Sequence, residues 1–131
     1  MTGSAPAAPG ARGFTLIELL VVISIIATLL TIAAPRYFQS LERSKETVLR
    51  QDLSVLRESI DKFLGDLNQY PESLAALVEH GYIRAIPKDP FTKSADTWVI
   101  EQSDDPERPG VRDVHSGAEG AGISRVPFAE F

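Results

Sequence analysis

The stretch Gly13-Phe14-Thr15-Leu16-Ile17-Glu18 opens an apolar run that continues to Ala34 and ends at Pro35. Glu18 is the only charged residue among the 21 residues from Phe14 to Ala34. A helix of that length spans about 31 Å, which is close to the thickness of the hydrocarbon core of a bilayer. The run therefore predicts a membrane-spanning helix that carries one carboxylate a turn inside its N-terminal end.

The carboxylate of Glu18 is an unusual feature of such a span. A charge costs about 2.5–3.5 kcal/mol at the centre of a bilayer and less near its interface. A residue kept at that cost needs a partner, and we expect the helix itself to offer none. The alternative is an exposed charge at the end of the span that faces the lipid headgroups.

A family resemblance begins at this hexapeptide. The short polar leader, the sequence Gly-Phe-Thr-Leu-Ile-Glu and the apolar run after it resemble the class III signal of type IV pilins and type II secretion pseudopilins. The resemblance implies that a prepilin peptidase cuts between Gly13 and Phe14 and methylates the new amino group of Phe14. It also implies that Glu18 pairs with this amine in a neighbouring subunit, since pairing in a filament core of low dielectric offsets desolvation.

Three segments follow from this pattern: a leader (residues 1–13), the apolar half of a long helix (residues 14–35) and a globular domain (residues 36–131). The leader carries the single charge Arg12 and is not expected to fold. An ordinary secretory signal is disfavoured, because the apolar run is too long and Pro35 follows the small residues that would be cut. The globular segment holds 12 Lys and Arg against 17 Asp and Glu, which argues against nucleic acid as a partner.

Two arguments indicate opposite orientations of the span in the membrane. Arg12 is the only basic residue before the span, whereas Arg36, Arg43, Lys45 and Arg50 follow it. Positive-inside counting would place the globular domain in the cytoplasm. The resemblance implies the opposite, a single-pass protein of the bacterial inner membrane with a periplasmic C-terminal domain, because the peptidase cuts a cytosolic junction. We follow the resemblance.

Beyond Pro35 the apolar residues recur three, four or seven positions apart as far as Leu67, which predicts an amphipathic helix. Together with the apolar run, this pattern predicts one long helix over residues 15–67. Proline removes a backbone hydrogen bond and crowds the preceding turn, so we expect a kink at Pro35. Two separate helices broken at Pro35 are the alternative.

The rest of the chain predicts a short helix and a small sheet. The helix is expected over Glu72–His80, with Gly81 in a left-handed conformation after it. Strands are expected over Thr97–Glu101 and Val111–His115, joined by a loop rich in proline and glycine. A long C-terminal loop should begin at Ser116. The fold class is α+β, and the resemblance implies the type IV pilin-like architecture.

The order of motifs after the long helix narrows the resemblance. Tyr70-Pro71, Gly81-Tyr82-Ile83 and the segment Ile86–Phe91 follow one another as in the major pseudopilins of type II secretion. The resemblance implies a structural, non-enzymatic subunit of a periplasmic pseudopilus that assembles with itself and other pseudopilins to drive protein export. It further implies prepilin peptidase, a cytoplasmic ATPase and an inner-membrane assembly platform as partners. A type IV pilus subunit is the alternative, against which the absence of cysteine argues; a membrane-anchored binding domain is another.

The resemblance also implies a calcium site in the C-terminal loop, built largely from aspartates. Calcium takes six to eight oxygen ligands, but the stretch Gly117–Gly122 supplies Glu119 and no aspartate. Asp113 and Glu130 are the nearest other carboxylates. We therefore expect no metal and no other cofactor, with Asp113, Glu119 and Glu130 as the candidate ligands if calcium binds.

Other chemistry is disfavoured by the spacing of the polar residues. His80 and His115 lack the spacing of a zinc site, and the chain has no cysteine. Ser116 beside His115 does not make a triad, because sequence neighbours do not supply the geometry of a base. We expect Trp98 in the core of the sheet, while the place of Phe128 and Phe131 stays open.

Overall fold

The computed structural model describes Gly3 and residues 13–131, so almost all of the predicted leader lies outside the described residues. Its elements are a long helix, a short helix, a two-stranded antiparallel sheet and a final 3₁₀ turn. Their bounds are α1 (Leu16–Leu67), α2 (Leu74–Glu79), β1 (Val99–Gln102), β2 (Val111–His115) and the 3₁₀ turn (Phe128–Glu130). The predicted α+β class with a type IV pilin-like arrangement is confirmed.

Helix α1 is a single element that contains Pro35. The prediction of one long helix is confirmed to within one residue at its start, and the alternative of two helices broken at Pro35 is wrong. Proline removes only one hydrogen bond from the ladder, whereas long helix-forming runs flank it on both sides. The kink at Pro35 stays a prediction.

The chain divides into two compact units, one that ends at Phe38 and one that spans Gln39–Phe131. In the described part of the first unit the side chains are exposed, apart from a half-buried Ala34. The second unit contains a core of buried apolar side chains from both helices, the sheet and the C-terminal segment. These are Leu49, Leu53, Leu56, Ile60, Phe63, Leu74, Leu77, Trp98, Val111, Val114, Phe128 and Phe131.

Helix α2 begins two residues later than predicted, because Ser73 forms its N-cap. The side chain of Ser73 accepts a hydrogen bond from the backbone N–H of Ala76 at 3.3 Å, which is the usual capping arrangement. Glu72 therefore lies before the helix. Gly81 has a φ of 78°, which confirms the predicted left-handed conformation after the helix.

Strand β1 begins two residues later than predicted, at Val99, because its first pairing is with His115, the last residue of β2. Just before the strand lies Trp98. Its side chain is only 7% exposed, and its indole N–H donates to the carbonyl of Pro87 at 2.9 Å. The prediction of a buried Trp98 is confirmed. Strand β2 has the predicted bounds, and Ile100 lies opposite Val114 in the antiparallel register.

The C-terminal loop, defined here as residues 116–127, folds back on itself before the final turn. An isolated bridge joins Ala121 and Pro127, and the N–H of Phe128 donates to the carbonyl of Gly120 at 3.0 Å. Phe128 packs against Phe91 with a ring-centroid distance of 4.3 Å. Phe128 and Phe131 are both buried, which answers the question that the sequence left open.

Candidate functional site

The first turn of α1 brings Thr15 and Glu18 together. The backbone N–H of Glu18 donates to the hydroxyl of Thr15 at 3.2 Å, and the N–H of Thr15 donates to Oε2 of Glu18 at 3.1 Å. The hydroxyl of Thr15 also approaches Oε2, at 3.4 Å. These reciprocal contacts form a capping box, in which two backbone donors at the start of a helix are satisfied.

The expectation that the helix offers Glu18 no partner is therefore wrong. A carboxylate in the first turn accepts local hydrogen bonds and is favoured by the positive end of the helix dipole. The contact of Thr15 with Glu18 has a local sequence signal, since Thr-x-x-Glu is the signature of a capping box. Among the described residues, the hydrogen bonds to this carboxylate all go to Oε2, so Oε1 can accept from a further donor.

Gly13 and Phe14, the predicted cleavage junction, lie just before α1. The helix begins at Leu16, and both residues of the junction are outside regular structure. Phe14 is 87% exposed. The predicted junction is thus exposed and lies outside the helix.

The polar side chains in the apolar half of α1 form hydrogen bonds within the helix. Ser24, Thr28 and Thr31 each donate a hydroxyl to the carbonyl four residues earlier, at 2.7–2.8 Å. Hydroxyls bonded in this way do not need water, which suits them to a hydrocarbon environment. By length and composition, α1 is the one described helix that could cross a membrane, and the side chains of its apolar window are exposed.

The three candidate metal ligands lie in different surroundings. Asp113 falls in a group with Glu101 and His115, whose possible ligand atoms lie within 4.8 Å of one another. Glu119 and Glu130 are exposed and do not belong to this group. The structure therefore does not bring the three sequence candidates together.

The group of Glu101, Asp113 and His115 is tied into an ion-pair network on the hairpin. The Nε of Arg57 donates to Oδ1 of Asp113 at 2.9 Å, and the guanidinium of Arg112 donates to Glu101. His115 approaches Glu101 at 3.2 Å. Hydrogen bonds from His115 and then from Arg112 lower the pKa of Glu101 below its ordinary value. Two guanidinium groups thus already balance the two carboxylates, and the network joins opposite strands of the hairpin.

The other polar residues considered from the sequence have structural contacts. The ring of His80 packs edge-on against Phe63 at 5.1 Å between centroids. The hydroxyl of Ser116 donates to the buried carboxylate of Asp89 at 2.5 Å. Asp89 also accepts from the N–H of Phe91 at 2.8 Å, so it fixes the proline-rich connector to the end of β2.

Comparison with known proteins agrees with these features. Residues 9–34 match the family model for the prokaryotic N-terminal methylation motif. Type II secretion system core protein G of Dickeya chrysanthemi is 32% identical over 122 residues, which cover 80% of this chain and 75% of that protein. The protein of the same name from Klebsiella pneumoniae is 33% identical over 61% of this chain and 69% of its own length. The type IV wide pilus major component of Thermus thermophilus is 38% identical over 54% of each chain. No solved structure matches the chain.

The fold and the N-terminal motif together define a type IV pilin-like subunit with a single apolar helix that fits a membrane anchor. Within that class, the chain belongs to the family of type II secretion system core protein G, the major pseudopilins. The predicted resemblance is confirmed.

Proposed function

We propose that this chain is a structural, non-enzymatic subunit of the pseudopilus of a type II secretion system. The observation that carries the proposal is an exposed apolar helix whose first turn is capped by Thr15 and Glu18 and whose apolar half lies largely within the motif at residues 9–34. Exposed apolar surface on this scale is stable only in lipid or against other protein chains. A subunit stored in a membrane and later packed into a filament occupies both environments in turn.

Processing at the N-terminus would prepare the chain for assembly. Prepilin peptidase cuts after Gly13 and methylates Phe14, and the chain resides in the bacterial inner membrane with its C-terminal domain in the periplasm. An inner-membrane platform, a cytoplasmic ATPase and other pseudopilins take part in assembly. The accessibility of the junction supports this sequence of events.

Glu18 then has a role between subunits. Cutting creates a charged amine at Phe14, and the carboxylate of Glu18 pairs with that amine in a neighbouring chain. The capping box supports the proposal, because Thr15 holds one carboxylate oxygen at the helix start and leaves the other able to accept. The pair would be worth most in the dry interior of a filament, where an unpartnered charge is costly.

A type IV pilus subunit is the second candidate, favoured by the similarity to the Thermus pilus component. The two candidates share the same processing and the same helix, so the companion genes discriminate them. A secretion ATPase with an outer-membrane channel supports the pseudopilus, whereas a retraction motor supports the pilus.

The test combines N-terminal mass spectrometry with an assembly assay. Protein purified from membranes should begin at a methylated Phe14; an intact Met1 leader would indicate a membrane-anchored binding domain instead. The Glu18→Ala variant should still be cut, but its yield of sheared or cross-linked filaments should fall more than about tenfold, since one buried charge loses its partner. Glu58→Ala, an exposed change on the same helix, is the matched control. A normal filament yield from Glu18→Ala would refute the pairing.

A further inference from the structure

The family resemblance implies a calcium ion in the C-terminal loop, and the residues of that loop do not fit one. Calcium needs six to eight oxygen ligands, several of them from carboxylates. Glu119 is the one carboxylate within the loop, and it is exposed. Asp113, just before the loop, is already bound by Arg57. Glu130, just after it, is exposed and lies outside the group that contains Asp113.

Glu46 of α1 reaches the same loop from the helix. Its side chain is 6% exposed, and its Oε1 accepts the backbone N–H of Ser124 at 3.1 Å and the hydroxyl of Ser124 at 3.3 Å. Among the described residues, Glu46 has no Lys or Arg within salt-bridge distance. A buried carboxylate is expensive unless donors satisfy it, so the loop and the helix depend on each other at this contact.

The loop is shaped to receive this carboxylate. The N–H of Arg125 donates to the carbonyl of Gly122 at 2.9 Å, which closes a turn with Ser124 inside it. Arg125 adopts a left-handed φ of 62° to complete the turn. A Cβ atom on Gly122 would overlap the carboxylate of Glu46, so a larger residue at this position would have to displace that carboxylate from the loop.

We infer that the carboxylate of Glu46, acting through Ser124 and Gly122, fixes the C-terminal loop of this chain in place of a calcium ion. A negative group on the helix accepts from the N–H and the hydroxyl of Ser124 in the loop, whereas in a calcium site a positive ion gathers oxygen acceptors. The loop is therefore held by contacts within the chain and does not respond to calcium. Glu46 and the loop both lie in the second unit, so their contact does not depend on filament assembly.

The experiment follows tryptic cleavage after Arg125 in the detergent-solubilised full chain, by mass spectrometry of the released peptide 126–131. Arg125 is exposed and closes the turn that contains Ser124, and cleavage there should speed up when this turn opens. The wild-type rate should be the same with calcium chloride as with a chelator. Glu46→Ala should raise the rate about tenfold, because charge-assisted hydrogen bonds are lost. Glu58→Ala, an exposed glutamate on the same helix, should leave it unchanged.

A double-mutant cycle makes the test specific to the contact. Gly122→Ala alone should speed cleavage, since its methyl group collides with Glu46. In the Glu46→Ala background the same methyl group has room, so it should cause a much smaller increase. If Glu46→Ala does not fold, Ser124→Ala in place of it removes one donor with less disturbance and should still raise the rate. Faster wild-type cleavage in chelator, or additive effects in the cycle, would overturn the inference.

Discussion

At the scale of single residues, the half-buried Asp52 on α1 carries the charge that most clearly destabilises the fold. Burial, and then the negative charge of Asp89, raise its pKa above the ordinary value of 3.8. Between 3.8 and the raised value the folded protein binds more protons than the unfolded protein, so this group lowers stability as the pH rises. Above the raised pKa the charge of Asp52 has its full destabilising effect, and below pH 3.8 this effect vanishes.

The Asp52→Asn variant should therefore melt at a higher temperature than the wild-type protein at pH 7. The gain in melting temperature should shrink as the pH falls towards 3.8 and disappear below it, because residue 52 is then neutral in the wild-type protein as well as in the variant. Thermal unfolding followed by circular dichroism across this range measures the effect. Asp61→Asn, an exposed change on the same helix, should give no comparable gain. An Asp52→Asn variant less stable than the wild-type protein at pH 7 would contradict the argument.

At the scale of elements, Arg57 connects α1 with the hairpin and the C-terminal segment. Its guanidinium donates to Asp113 at 2.9 Å, to the carbonyl of Val114 at 2.9 Å and to the main-chain oxygen of Phe131 at 2.6 Å. These bonds use the fork of an arginine, which lysine does not reproduce. Arg112 also makes ion pairs, but only on the exposed face of the hairpin.

The Arg57→Met variant should lower the melting temperature by about 5–15 °C, because it keeps the apolar stem and loses all three hydrogen bonds. The melting temperature of Arg57→Lys should lie between those of the wild-type protein and Arg57→Met, since lysine retains the charge without the fork of hydrogen-bond donors. Arg112→Met is the control and should change the melting temperature little, because exposed ion pairs contribute little to stability. Equal losses from Arg57→Met and Arg112→Met would mean that the connection between elements does not matter for stability.

The elements differ in how far the sequence predicts them. The bounds of α1 could be predicted because its signals, apolar spacing and a membrane-length run, are local. The starts of α2 and β1 differ from the predicted ones because the cap at Ser73 and the pairing of Val99 with His115 decide them. The contact of Glu46 with Ser124 joins residues 78 positions apart, and no local pattern indicates such a pair. At the candidate site, Gly13, Phe14 and Glu18 lie within one hexapeptide, and the contact of Thr15 with Glu18 in the same hexapeptide has the local signature of a capping box.

At the scale of the whole molecule, folding and assembly are assigned to different parts of the chain. Every buried side chain of the described residues lies at or after Glu46, while the apolar half of α1 has none. Burial of apolar surface is the main source of stability. The second unit should thus fold without the first, and the first should contribute to stability only through lipid or neighbouring subunits.

A fragment of residues 36–131 should therefore be soluble, fold cooperatively and sediment as a monomer. Trp98 is the only tryptophan of the chain and is buried, so its fluorescence should change in the same transition as the helical signal. Leu53→Ala in this fragment removes a fully buried side chain and should cost about 2–5 kcal/mol, whereas Val55→Ala, at a more exposed position of the same helix, should cost far less. A fragment that aggregates or melts without a transition would mean that the apolar helix is needed for folding as well as for assembly. If the fragment folds, the apolar span is not needed for folding. The span can then exchange contacts with lipid for contacts with copies of itself, as a subunit that moves from membrane to filament requires.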